Sequence, residues 1–164
     1  MNKKNAIFLV TATLIVIFDQ VTKAWILSSM RLHESFAVID GFFNITSVRN
    51  PGAAFGFLAG APPLFRAVFF IAVTVGAIVL ILYYLRISMI DDYPIILSLS
   101  LIFSGAAGNL IDRVRFGEVV DFLDVYIGSY HWPAFNVADS AITIGATVMI
   151  FAMLRRRKGE RADK

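Results

Sequence analysis

The residues in this sequence best suited to chemistry are its carboxylates. Asp139 stands at the start of a long apolar run, and Asp112, Asp121 and Asp124 come shortly before it. Two carboxylates from different elements, held close where water is scarce, cannot both ionise easily, so one proton is shared between them. The ionised member can then activate a water. The protonated member can donate to a carbonyl oxygen and later to a leaving amine. Such a dyad hydrolyses a peptide bond without a metal, a cofactor or a covalent intermediate.

Spacing alone leaves the partner of Asp139 open. Asp112 is followed by Arg113 and Arg115, and the three read most simply as an ion-pair network at the end of a helix. Asp121 and Asp124 lie in Val119-Val120-Asp121-Phe122-Leu123-Asp124-Val125, a strand-like run. Three residues apart on a strand, they point to opposite faces, so only one can reach a common site. Asp139 also has a purely structural explanation. Asn136-Val137-Ala138-Asp139 resembles a capping box, and a carboxylate is favoured near a helix N-terminus. Asp19 and Lys23 form a further pair, four apart on one helix face. Charges inside an apolar span are costly, which makes them functional candidates by default. The pair reads either as mutually neutralising, with Lys23 snorkelling to the interface, or as part of the site.

Other chemistries are excluded. There are no cysteines, so no disulfide, thiolate metal site or Cys nucleophile exists. The two histidines, His33 and His131, form no His-Glu-x-x-His motif, and no metal site is expected.

The elements that position these carboxylates must be membrane spans. Of the 164 residues, 58% are hydrophobic and 16% charged, with mean hydropathy +0.73. A soluble domain this small could not hide so much apolar surface. Four stretches of about 20 apolar residues qualify as spanning helices: about 6–27, 64–85, 94–111 and 137–154. The whole chain, 1–164, then forms a single membrane domain. Lys3 and Lys4 precede the first span, and Arg155, Arg156, Arg157, Lys158, Arg161 and Lys164 follow the fourth. Positive-inside logic puts both termini in the cytoplasm. The net charge of +3 is therefore read as membrane orientation, with no nucleic acid as partner. The N-terminal run is expected to be a retained span, because Asp19, Gln20 and Lys23 interrupt it.

Two outward segments remain, about 28–63 and 112–136. Phe42 to Val48 and Val119 to Ile127 read as strands, and Asn50-Pro51-Gly52 as a turn. The expected fold is thus an all-α membrane protein of four transmembrane helices with a small extracytoplasmic β-sheet subdomain resting on the membrane surface. An open sheet edge could not survive within lipid. Ser104-Gly105-Ala106-Ala107-Gly108 and Ala141-x-x-x-Gly145 place small residues four apart, as close helix packing requires. On charges alone, a proton-coupled transporter and a non-catalytic assembly factor compete with a hydrolase. A relay needs ionisable groups distributed across the membrane, whereas here they gather in the outer half.

Five blocks resemble the bacterial lipoprotein signal peptidases, or signal peptidase II. They are Asp19-Gln20-Val21-Thr22-Lys23, Asn50-Pro51-Gly52-Ala53-Ala54-Phe55-Gly56, Gly108-Asn109-Leu110-Ile111-Asp112-Arg113, Val119-Val120-Asp121-Phe122 and Phe135-Asn136-Val137-Ala138-Asp139-Ser140. They occur in the family's order across all four spans. The resemblance implies a multi-pass aspartic endopeptidase of the bacterial inner membrane, with its active site near the periplasmic face. Its substrates would be diacylglyceryl-modified prolipoproteins, met within membrane lipid and cut before the lipidated cysteine. Globomycin-type cyclic peptides would inhibit it. The family's catalytic pair falls on Asp121 and Asp139. Asn50, Asn109, Arg113 and Asn136 fall on positions lining the substrate site, and Asp19, Lys23, Asp112 and Gly108 support it. Nothing in the sequence calls for an oligomer, and a monomer is expected.

Overall fold

Four runs of the chain are long and apolar enough to cross a membrane, and in the computed structural model each is one helix. The structure describes residues 3–52, 57, 58, 60–87 and 92–162, the last six by backbone alone. Ala53 to Gly56 of the second motif block, part of the Arg86–Tyr93 loop and the end of the basic tail lie outside these residues.

The elements run α1 (Lys3–Ser29), β1 (Ser35–Ile39), β2 (Phe43–Asn50), α2 (Pro63–Ile87), α3 (Tyr93–Phe116), β3 (Val119–Ile127), β4 (Tyr130–His131) and α4 (Val137–Ala162). Helix α3 is central and packs against α1, α2 and α4. Its composition explains this place. The small residues Ser98, Ser100, Ser104, Gly105, Ala106 and Gly108 are all buried on it, and short side chains let neighbouring backbones approach. A Cβ built on Gly105 would strike the carbonyl oxygen of Ala138, and one on Gly145 would lie 2.8 Å from the carbonyl oxygen of Ser98. Helix α2 has the opposite character. Of its residues only Phe70 is buried, while Leu64, Val68, Val73 and Leu80 face outward, as a lipid-facing helix requires.

Helix α3 runs to Phe116, beyond the expected limit at Ile111. Gly117 then adopts φ 76° and gives its N–H to the Arg113 carbonyl. A left-handed cap of this kind suits glycine, and β3 follows two residues later.

The four strands form one antiparallel sheet in the order β1-β2-β3-β4. Strands β1 and β4 were not expected from the sequence. The signal for β1 was present: Asp40-Gly41 is a hairpin dipeptide, and Gly41 has φ 76°. Ile26 at the end of α1 packs with Val120 and Phe122 of β3, which fixes the sheet to the helix ends. A second apolar cluster, Phe8 with Ile95, Ile96, Leu99 and Ala152, joins α1, α3 and α4 at the opposite end.

Candidate active site

The buried polar residues converge where α1, α3, α4 and β3 meet. Asp19 and Lys23 lie on one face of α1. Lys23 is 2% exposed, and its Nζ reaches Asp19 Oδ2 at 2.9 Å, Asp112 Oδ2 at 2.9 Å and Asn109 Oδ1 at 3.0 Å. An ammonium has three protons, and here each has an acceptor. Lys23 therefore does not snorkel: three acceptors hold it inside. The pair is mutually neutralising, without the snorkelling, and Lys23 also touches Asn109. The Asp112 expectation is corrected in turn. Among the described residues its ion pair is with Lys23, not with Arg113 or Arg115, and its Oδ2 also accepts the Val120 N–H at 3.1 Å. On α3, residues 109 and 112 share a face, which is why Asn109 and Asp112 both meet Lys23.

Asp19 does a second task. Its Oδ1 accepts the Ala138 N–H at 2.9 Å, one of the donors left open in the first turn of α4. Asn136 takes the next one, its Oδ1 accepting the Asp139 N–H at 2.9 Å. The N-cap read from the sequence is thus formed. The return half of the capping box is replaced: Asp139 Oδ1 accepts from Asn109 Nδ2 at 2.7 Å.

The amide end of Asn136 points the other way. Its Nδ2 donates to Asp121 Oδ1 at 2.7 Å, and the Val120 carbonyl (3.1 Å) and Asn109 Oδ1 (3.2 Å) lie in range. Asp121 Oδ2 accepts from Asn50 Nδ2 at 2.9 Å. Asn50 is oriented by its own turn, its Oδ1 accepting the Gly52 N–H at 3.0 Å, as Asn side chains do in such turns. The bulge between Ile45 and Val48 sets Val48 opposite Asp121. Asn50 then lies on the same sheet face as Asp121. Asp124 is turned away, as strand alternation requires, and bonds Asn44 and His131. Arg113 rests over the Phe70 ring at 4.9 Å, donates to the Gly52 carbonyl at 3.2 Å, and lies within electrostatic reach of Asp139, Asp121 and Asp112.

One short amide path, Asp121–Asn136–Asn109–Asp139, therefore connects the two carboxylates. The electrostatics follow from burial. Asp121 is 1% exposed, and its carboxyl is pushed up to about 7, first by burial and then by the charge of Asp139, against the hydrogen bonds of Asn50 and Asn136. Four carboxylates, Asp19, Asp112, Asp121 and Asp139, share this region with the cations Lys23 and Arg113. Asp121 is buried and Asp139 only half-buried. Gly108 is required by contact, since a Cβ there would lie 2.5 Å from Asp19 Oδ2. Sequence reasoning missed one participant. Gln20 Nε2 lies 3.1 Å from Asp19 Oδ2, 3.2 Å from the Gly108 carbonyl and 3.1 Å from Asp112 Oδ1. Its adjacency to Asp19 in a motif block was the available signal.

The family model described as "Signal peptidase (SPase) II" matches residues 11–155. The chain belongs to the signal peptidase II family. It is an aspartic peptidase built on membrane-spanning helices. It is 57% identical to a lipoprotein signal peptidase of Syntrophus aciditrophicus over 96% of this chain and 98% of that one. It is 46% identical to another of Geobacter metallireducens over 99% of each. Two solved bacterial membrane enzyme structures share the fold. One has TM-score 0.84 and 42% identity, covering 93% of this chain and 90% of its own, and the other 0.80 and 41%, covering 90% and 92%.

Proposed function

We propose that this peptidase removes the signal peptide from diacylglyceryl-modified prolipoproteins, cutting before the lipidated cysteine, and that Asp121 and Asp139 are its catalytic pair. The observation that carries the pairing is Asn136. One end of its amide holds Asp121, and the other holds the backbone of Asp139. A change in one carboxylate is thereby felt at the other.

In this reading the dyad carries one proton. The ionised carboxylate takes a proton from a water as it attacks the scissile carbonyl carbon, and the protonated one donates to the carbonyl oxygen. The tetrahedral diol collapses as a proton passes to the cysteine nitrogen, releasing the signal peptide as a carboxylic acid and the lipidated cysteine as an amine. Asn50 and Asn136 keep Asp121 oriented, and Asn109 does the same for Asp139. These residues and Arg113, tied to the Asn50 turn, line the peptide path. Asp19, Lys23, Asp112 and Gly108 hold α1, α3 and α4 in register beneath them.

The chain acts as one membrane domain and a monomer in the inner membrane. Its termini lie in the cytoplasm and its sheet on the periplasmic side, where the substrate's acyl chains already sit in the bilayer. Globomycin-type cyclic peptides compete for the same path. Because the chain has no cysteine, a single Ser129→Cys substitution reports the side of the sheet. A membrane-impermeant maleimide should label it in intact spheroplasts.

The central test is cleavage of a diacylglyceryl-modified prolipoprotein by the purified protein. Wild type should act without added metal and in the presence of chelator. Asp121→Asn and Asp139→Asn should each abolish turnover with the fold retained, and near-normal turnover in either would refute the dyad. An unlipidated substrate should be poor, because remote binding energy supports the chemical step.

A further inference from the structure

We propose that Arg49, Arg115 and Phe116 form a receptor for the phosphate of an anionic phospholipid headgroup, next to the candidate active site but distinct from it. Phe116 ends α3. The guanidinium carbon of Arg49 lies 4.6 Å from its ring centroid, and that of Arg115 lies 4.9 Å from it. Two cations thus share one aromatic ring. Among the described residues neither takes part in an ion pair. Glu118, two residues after Phe116, pairs with neither.

Arg49 carries the decisive feature. Its Nη1 is the one buried side-chain nitrogen or oxygen among the described residues without a hydrogen-bond partner. Leaving a charged donor buried and unmade is expensive, and native folds satisfy such groups. Among the described residues nothing offers this nitrogen an acceptor, which leaves it open to one from outside the chain. The surroundings select which. Arg115 and Phe116 end a helix long and apolar enough to cross a membrane, and the end of such a span meets the lipid headgroups. Guanidinium forks match phosphate oxygens in geometry and charge. The exposed Val114 beside them would lie against the acyl chains.

The receptor's position gives it a consequence. Arg49 precedes Asn50, and its cross-strand partner Val120 precedes Asp121. A seated phosphate would fix the two-strand segment that holds Asn50 against Asp121. Which leaflet supplies the lipid rests on the proposed orientation; the existence of the receptor does not.

The test follows thermal unfolding of the full chain in a neutral detergent while dioctanoyl phosphatidylglycerol, dioctanoyl phosphatidylcholine or inorganic phosphate is added. Phosphatidylglycerol at about a hundredfold excess over its Kd should raise Tm by about 5 °C. The zwitterionic lipid and inorganic phosphate should do much less. Arg115→Gln, an exposed change with little folding risk, and Arg49→Gln should each lose most of the shift. Arg155→Gln, at the far end of α4, and Asp121→Asn should keep it, which separates this receptor from the peptidase reading. Equal shifts with phosphatidylcholine would overturn recognition by charge, and equal shifts with inorganic phosphate would overturn the lipid. An undiminished shift in Arg115→Gln, or its loss in Arg155→Gln, would overturn the location.

Discussion

Replacing Asp121 by Asn should change how stability depends on pH before any substrate is present. An ordinary aspartate releases its proton near 3.8, whereas Asp121 holds it to about 7, chiefly because it is buried. Between those values the folded protein binds a proton that the unfolded chain does not. Stability then falls as pH rises, by about 1.4 kcal/mol per unit. The stabilisation is fully present below about pH 4, is lost progressively, and is gone above about 7. Over the whole window the loss is about 4 kcal/mol. For a chain of this size that corresponds to a fall in Tm of order 10 °C. The assay is thermal unfolding in detergent from pH 4.5 to 8. Wild type should lose stability across this range and Asp121→Asn should be flatter. Asp139→Asn should keep a slope with a lower midpoint, since the Asp139 charge is the second cause and burial the first. The same proton should set the alkaline limb of peptidase activity near pH 7. Parallel unfolding curves for wild type and Asp121→Asn would refute the reasoning, whatever the activities show.

Other substitutions separate structure from chemistry at the same site. Asn136→Ala removes both the α4 cap and the donor to Asp121, and should cost about 1–3 kcal/mol of stability and at least 100-fold in kcat. Asn136→Ser keeps a capping oxygen without the amide, so it should regain most of the stability but not the rate, as separate unfolding and cleavage measurements would show. Lys23→Met leaves Asp19 and Asp112 buried without their cation and should destabilise by about 3–5 kcal/mol, read as lost folded yield or a lower Tm. Gly108→Ala drives a methyl onto the Asp19 carboxylate. It should lower Tm and activity together, while Gly76→Ala, with nothing within 4 Å of its Cβ, should change neither.

Much of this arrangement was legible in the sequence, for definable reasons. Hydropathy marks the four spans because lipid penalises any other spanning structure. The strand over Val119 to Ile127 was visible in its β-branched and aromatic run, and alternation correctly set Asp121 and Asp124 on opposite faces. What spacing could not supply was distance between elements. Spacing left Asp112, Asp121 and Asp124 all open as partners for Asp139, and the choice of Asp121 rests on the motif resemblance. The contacts of Asp112 with Lys23 and of Asp121 with Asn50 come from separate elements that spacing does not relate. Lys23 illustrates the same limit. Along α1 it looks free to snorkel, and only the facing positions 109 and 112 of α3 show why it stays inside. Gln20 was passed over because its place beside Asp19 in a motif block is a weak signal, and its three acceptors come from two helices.

Asn136 shows that a structural and a chemical reading of one residue need not compete. An N-cap requires only an oxygen aimed at the first turn of its helix, and serine or aspartate would serve. Asparagine adds two N–H donors on the same rigid plane, so whatever fixes its oxygen also fixes where its nitrogen points. Here the α4 backbone fixes the oxygen, and the nitrogen is thereby delivered to Asp121 at 2.7 Å. Asp19 works on the same principle, capping Ala138 with one oxygen and holding Lys23 with the other. The N-terminus of α4 is therefore built by the groups that order the candidate dyad. Loosening that turn must displace Asp139 relative to Asp121, and disturbing Asp19 or Asn136 must loosen the turn. Such coupling is something that apolar packing at the junction of three helices, which is often as stable as buried charge or more so, could not supply.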